Sequence, residues 1–260
     1  MDFKTKLQKA IDKNNSLLCV GLDPDPDNLN NFKNQFDFNK NVIDQTAEFV
    51  CCFKPNIAFF EANGIDGLND LKKTISYLKE NYSHIPILLD VKRADVENTA
   101  RMYAKAYFEF WQADAVTLFP HLGYNVAEPF LSYKDKMVFM LVRTTANESE
   151  SMKKARVGKD PYYLAIAKEI KGWPNQNGIG IFVGSTFTEG LKKVREIFPE
   201  KIFLTAGLGA QGASVENAVK AGIDKNGAGI MFNASRSIIY APNPRSAAQN
   251  LRDEINKYRE

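Results

Sequence analysis

The sequence predicts an α/β fold, a (β/α)8 barrel with flanking N- and C-terminal helices. Three observations carry that prediction: eight strand-like apolar runs, helical patterns between them, and a length of 260 residues, near the usual size of one such barrel. A doubly wound open sheet uses the same local patterns, but eight successive β-then-α units favour closure. No linker, low-complexity stretch or clear repeat interrupts them, so residues 1–260 are expected to form a single domain.

The expected strands cover residues 17–23, 49–54, 87–92, 115–120, 137–142, 179–184, 202–206 and 229–232. Most are continuous apolar runs, as a parallel sheet buried on both faces requires. Helices are expected at 69–81, with Leu71, Ile75 and Leu78 on one face, and at 96–112, with Met102, Ala106 and Phe110. Pro161 suits the first turn of a helix over 161–171. Leu191, Val194 and Phe198 align over 188–198, and a helix over 214–221 stops at Gly222. Phe3, Leu7 and Ile11 form a stripe before the first strand; Ala247, Leu251 and Ile255 form one after the last.

Composition narrows the function classes. A net charge of +3, without a basic run, disfavours nucleic acid as partner. No apolar run approaches a membrane span, and Met1-Asp2-Phe3-Lys4-Thr5-Lys6 lacks a signal-peptide core, so a cytoplasmic location is expected. Cys19, Cys51 and Cys52 lie in apolar strand-like segments. Adjacent Cys51 and Cys52 point to opposite faces of a strand and make a poor disulfide framework, so buried small hydrophobes are expected.

In a barrel, chemistry sits at the C-terminal ends of the strands. Here those ends are polar: Asp23, then Lys54-Pro55-Asn56, then Asp90 and Lys92, then His121. Further along come Arg143-Thr144-Thr145, Gly184-Ser185-Thr186, the turn Gly207-Leu208-Gly209-Ala210-Gln211-Gly212, and Asn233-Ala234-Ser235-Arg236. Any one of these could be a satisfied loop residue; their gathering at one end points to a site. The Gly-rich turn after strand seven and Arg236 after strand eight suit a phosphate. Glycines admit backbone N–H groups to an anion, and Arg236 offers a bidentate fork. Taken separately, a tight turn and a surface arginine would look the same.

The charges in Leu89-Asp90-Val91-Lys92-Arg93-Ala94-Asp95 are sharper. Asp90 and Lys92, two apart on a strand, share a face, and flanking carboxylates favour the ammonium form of a lysine. Lys54, Asp90, Lys92 and Asp95 alternate in sign and sum to zero. Burying such charges without a purpose is costly, which makes them functional candidates.

The Asp90-x-Lys92-x-x-Asp95 signature resembles that of the orotidine 5′-phosphate decarboxylase family. Gly21-Leu22-Asp23, Phe53-Lys54-Pro55-Asn56, Thr205-Ala206-Gly207-Leu208-Gly209-Ala210-Gln211 and Ser235-Arg236-Ser237-Ile238 resemble further blocks of its longer bacterial branch, type 2, in the same order. The resemblance implies a TIM barrel, a homodimer, no cofactor and no metal. It implies conversion of orotidine 5′-monophosphate (OMP) to uridine 5′-monophosphate (UMP), the last step of de novo pyrimidine synthesis. By matching motif, Lys92 is the proton donor to C6 and Asp90 sits beside the substrate carboxylate. Asp95 and Thr99 reach into the partner subunit's site. Asp23, Lys54 and Asn56 hold the ribose; Gln211 and Arg236 hold the phosphate. One block departs: where many members have Thr-Ser-Asn-Pro, this chain has Thr144-Thr145-Ala146-Asn147. Thr145 keeps the hydroxyl that reads the pyrimidine ring. His121 is expected to be a hydrogen-bonded loop residue. Gly158 and the segment after Arg236 are candidates for mobile loops.

Three other classes use the same scaffold. A metal-dependent phosphosugar decarboxylase or aldolase needs a carboxylate cluster for Mg2+. A Schiff-base aldolase needs a lysine of depressed pKa, against the trend of flanking aspartates. A nucleotide-binding barrel without turnover would not need the full charge array.

Overall fold

The structure is a computed structural model describing residues 1–144, 150–208 and 214–259. Eight parallel strands form a nearly closed barrel: β1 (Leu18–Leu22), β2 (Cys52–Pro55), β3 (Leu88–Arg93), β4 (Ala115–Leu118), β5 (Met137–Arg143), β6 (Ile179–Val183), β7 (Phe203–Ala206) and β8 (Ile230–Ala234). Seven continuous pairings run β2-β1-β8-β7-β6-β5-β4-β3. The seam between β2 and β3 is held by isolated parallel bridges, Phe53 to Ile87 and Asn56 to Asp90. Barrel closure therefore falls where two charged strand ends meet.

Register fixes which residues face the barrel axis. Gly21 pairs with Lys54, and Cys19 with both Cys52 and Asn233. Because side chains alternate, Lys54 and Cys52 share a face of β2. All three cysteines are buried thiols, as their apolar neighbours predict. Phe139 of β5 is fully buried, and a Cβ on its register partner Gly180 would come within 2.6 Å of its ring. A glycine there leaves room for an aromatic filler.

Helices cover the strands on the outside: α1 (Phe3–Asn14), α2 (Gln35–Thr46), α3 (Gly64–Asn81), α4 (Glu97–Lys105), α5 (Tyr124–Leu131), α6 (Tyr162–Gly172), α7 (Thr188–Ile197), α8 (Val215–Gly222) and α9 (Pro244–Lys257). The flanking stripes do what their spacing predicts. Asp2 caps α1 through Thr5 N–H, and Phe3 packs edge-on against Phe139, with centroids 5.8 Å apart. Lys6 pairs with Asp114 at 2.7 Å, fastening α1 beneath β4. Near the C-terminus, Asn243 caps α9, whose Ala248 and Ile255 are buried.

Some expectations change. The 96–112 helix is α-helical only to Lys105; Ala106–Phe110 widens into a π-turn. The face turned to the core is that of Ala100, Ala104, Tyr107 and Phe108, which leaves Met102 54% and Phe110 61% exposed rather than in the core. Pro161 pairs with Arg156 in a two-residue hairpin and precedes α6 instead of opening it. Gly222 is the last helical residue of α8, with Ile223 as its cap. Helices α2 and α5 escape the sequence reading. The first starts from an Asn34 cap on Asp37 N–H; the second contains Pro129, which argues against a helix. Gly158 (φ +60°) is the turn of the hairpin, and the segment after Ser235 forms a short helix, Arg236–Ile239. Among the described residues, no helix is long and apolar enough to cross a membrane.

Candidate active site

Four charges meet on the strand ends around the β2–β3 seam. Lys54 Nζ donates to Asp90 Oδ2 at 3.1 Å and lies 3.9 Å from Asp23 Oδ1. Lys92 Nζ donates to both Asp90 oxygens at 2.6 Å. Thr117 Oγ1, from β4, donates to Asp90 Oδ1 at 2.7 Å. Asp23 is held from the other side by Ser235 Oγ, which donates to its Oδ2 at 2.8 Å. That contact needs Gly21: a Cβ there would come within 2.7 Å of Ser235 Cβ.

Lys92 is not a regular strand residue. Its φ of +44° is left-handed, a region that costs a non-glycine residue on the order of 1–3 kcal/mol. Simple alternation predicts that Asp90 and Lys92 share a face; the structure brings them together by a local break in β3. Strain of this kind persists only where surrounding contacts over-determine it. Here Val91 N–H and Lys92 N–H both donate to Thr117 Oγ1 at 3.0 Å. Arg93 Nη1 donates to Val91 O, and Arg93 Nη2 pairs with Glu61 at 2.7 Å.

The electrostatics follow from burial and pairing. Lys54 and Asp90 are 4% and 5% exposed. Burial works against the Lys54 ammonium, but Asp23 and Asp90 more than offset it, holding the group well above the usual lysine range. Burial likewise works against ionised Asp90. Lys54, Lys92 and the bond from Thr117 reverse this and hold the carboxyl well below the usual range. Asp23 goes the other way. Desolvation dominates and raises it, because Lys54 is too distant and Ser235 alone too weak to compensate. Asp23 Oδ1 and Asn233 Oδ1 are buried without a hydrogen-bond partner among the described residues, leaving acceptors for an incoming donor. A cavity of about 250 Å³ opens at the same end of the barrel, over β4 and β5, between Phe119, His121, Arg143, Thr144, Met152 and Tyr163. The charged quartet does not line it.

A family model described as "Orotidine 5'-phosphate decarboxylase / HUMPS family" matches residues 16–251. The chain belongs to this family. The orotidine 5′-phosphate decarboxylase of Ralstonia nicotianae is 39% identical to it over 272 aligned residues, spanning 100% of both chains. The enzyme of that name from Dechloromonas aromatica is 40% identical, also over 100% of both. Among solved structures, Leishmania donovani OMP decarboxylase superposes with a TM-score of 0.89 at 35% identity, over 100% of this chain and 99% of that one. L. donovani UMP synthase gives a TM-score of 0.92 at 38% identity, and this chain spans 57% of its length.

For a member of the decarboxylase family, the residues singled out by sequence are distributed unevenly. Lys54, Asp90 and Lys92 converge as expected, but the fourth charge beside them is Asp23, not Asp95. The Asp95 carboxylate accepts from Val96 N–H at 2.7 Å and meets no lysine of its own chain among the described residues. Thr99 is half-buried on the first turn of α4. Asn56 spends its side-chain oxygen capping the Ile57–Glu61 helix through Ala58 N–H. Arg236 is exposed on the first turn after β8. Thr145 and Gln211 fall outside the described residues. His121 is exposed beside Phe119, with centroids 6.1 Å apart and no hydrogen bond among the described residues, so the expected bonded loop histidine is not found. Thr117 and Ser235 are site residues to which sequence reading assigned no role. The signal for Thr117 was a lone hydroxyl inside the apolar run Ala115-Val116-Thr117-Leu118.

Proposed function

We propose that this chain, as a single decarboxylase domain, converts OMP to UMP and CO2 in pyrimidine biosynthesis, without a cofactor and with Lys92 as proton donor to C6. The observation that carries the reading is the alternating quartet Asp23, Lys54, Asp90 and Lys92, with Lys54 and Asp90 buried, set on the strand ends of a chain in this family. In the reaction the bond between C6 and the carboxylate carbon breaks, and its electron pair stays on C6. A proton from Lys92 Nζ then forms the new C6–H bond, and solvent restores the ammonium.

The quartet sums to zero. A substrate carboxylate beside Asp90 makes the pocket net negative; loss of CO2 moves that charge to carbon, next to the Lys92 ammonium. Fixed positive charge at the place where negative charge develops is the most effective form of electrostatic catalysis. Barrier lowering for the slowest reactions is on the order of 20 kcal/mol. Four side chains fall short of that, so phosphate binding by Arg236 and Gln211 is the supplement. Thr145 reads the pyrimidine ring. Asp23, Lys54 and Asn56 hold the ribose, and the orphaned Asp23 Oδ1 supports a hydroxyl donor there.

Asp95 and Thr99 act in the site of a second copy of this chain. In support, Asp95 meets no cation among the described residues, and Val96 and Met102, at three-residue spacings from Thr99, are 65% and 54% exposed. A Schiff-base reading is disfavoured because Lys54 is held above the usual lysine range, the reverse of what such a nucleophile needs. The test is an absorbance assay for OMP loss with wild type and Lys92→Ala. Turnover by the first and none by a folded second is expected; comparable rates would reject the assignment.

A further inference from the structure

We propose that Thr117 is a positioning residue that sets the proton donor by holding a bulge open at the end of β3. The proposal rests on the reading above, in which Lys92 delivers the proton. Register shows the bulge directly. Leu89 pairs with Val116 and Arg93 with Leu118, so four steps along β3 match two along β4. Asp90, Val91 and Lys92 together therefore oppose Thr117 alone.

A bulge leaves backbone N–H groups outside the ladder, and buried ones need a partner. Thr117 supplies it. Its hydroxyl has one donor and two acceptor sites, and all three are used. It accepts from Val91 N–H and Lys92 N–H, each at 3.0 Å, and donates to Asp90 Oδ1 at 2.7 Å. Thr117 itself is 1% exposed, so water does not replace it. One side chain on β4 thus ties the left-handed backbone of Lys92 to the carboxylate that its ammonium contacts. Remove the hydroxyl and the bulge loses both N–H partners while Asp90 keeps only its lysines. Lys92 is then free to relax toward regular strand geometry, which carries Nζ away from its present direction.

The experiment compares Thr117→Val, which keeps shape without the hydroxyl, with Thr117→Ser, which keeps the hydroxyl. Steady-state decarboxylation of OMP is measured beside equilibrium affinity for UMP. For Thr117→Val we expect kcat to fall by about 10- to 100-fold, the range for losing a hydrogen bond to a charged group. UMP affinity should change by less than about threefold, and Thr117→Ser should recover kcat to within about threefold of wild type. A kcat of Thr117→Val within twofold of wild type would overturn the proposal. So would a Ser variant no better than Val, or an equal loss in kcat and UMP affinity, which marks a merely structural role. If the Val chain does not fold, Thr117→Cys, a weak donor, gives the same contrast with Ser. If wild type itself fails to decarboxylate OMP, the functional reading falls instead. Crystal structures of Thr117→Ser and Thr117→Cys then decide this one: an unchanged Lys92 φ and Asp90 contact in both would overturn it.

Discussion

Replacing Lys54 by methionine tests whether the floor of the site is a balanced charge network. Lys54 is almost wholly buried and faces two carboxylates, Asp90 at 3.1 Å and Asp23 at 3.9 Å. At an effective dielectric of ~20 those separations correspond to attractions of about 5 and 4 kcal/mol. Releasing the ammonium from its desolvation penalty returns several kcal/mol. The net cost expected for breaking such a pair from one side is about 3–5 kcal/mol, since two buried carboxylates remain. For a domain of this size each kcal/mol lowers Tm by roughly 2–4 °C. Asp90 keeps Lys92 and Thr117, so most of the damage should fall on Asp23. A second change, Asp23→Asn, should therefore restore stability in the Lys54→Met background relative to the sum of the single changes, by at least about 1 kcal/mol. Urea denaturation of the four chains, followed by circular dichroism, gives the cycle. A single-variant loss below 1 kcal/mol, or additivity within about 0.5 kcal/mol, would refute the network.

Asp90→Asn should change the pH dependence of stability. The folded pKa of Asp90 is depressed, so its stabilisation is complete above the unfolded value of 3.8 and is lost as the pH falls below it toward the folded value. The stability gap between wild type and Asp90→Asn, from denaturation at stepped pH, should therefore be widest at neutral pH and shrink in acid; a constant gap would contradict it. Arg236→Ala should lower kcat/KM for OMP far more than for the phosphate-free nucleoside, and equal losses would reject the phosphate clamp. Mixing inactive Asp95→Ala with inactive Lys92→Ala chains should restore some turnover, whereas none in verified heterodimers would count against a shared site. Arg195→Leu should destabilise the fold by about 3 kcal/mol or more in urea titrations. Its guanidinium donates to the carbonyls of Phe198, Lys201, Gly222 and Gly229 and packs 3.7 Å from the Phe203 ring centroid. A loss below 1 kcal/mol would show those carbonyls to be satisfied otherwise.

Sequence alone determined the barrel and three of the four charges that the structure gathers at its strand ends. Apolar runs of strand length are conspicuous because a parallel strand is buried on both faces, and charges at the ends of such runs stand out against them. Lys54, Asp90 and Lys92 were legible for that reason, and Phe3 and Ile255 because a helical stripe repeats locally. What periodicity could not carry was phase and pairing. The helix before Trp111 turns Ala104, Tyr107 and Phe108 to the core and leaves Phe110 outside, a choice between two apolar faces that residue spacing alone does not make. The replacement of Asp95 by Asp23 in the quartet depends on β1 lying beside β2 in register, across the long connection between Leu22 and Cys52. Tertiary structure alone decided how Lys92 meets Asp90. Alternation along a strand predicted the contact, but a slip of β3 against β4, filled by one threonine hydroxyl, makes it. A strand can be recognised from its own residues; a bulge exists only relative to the neighbour it fails to match.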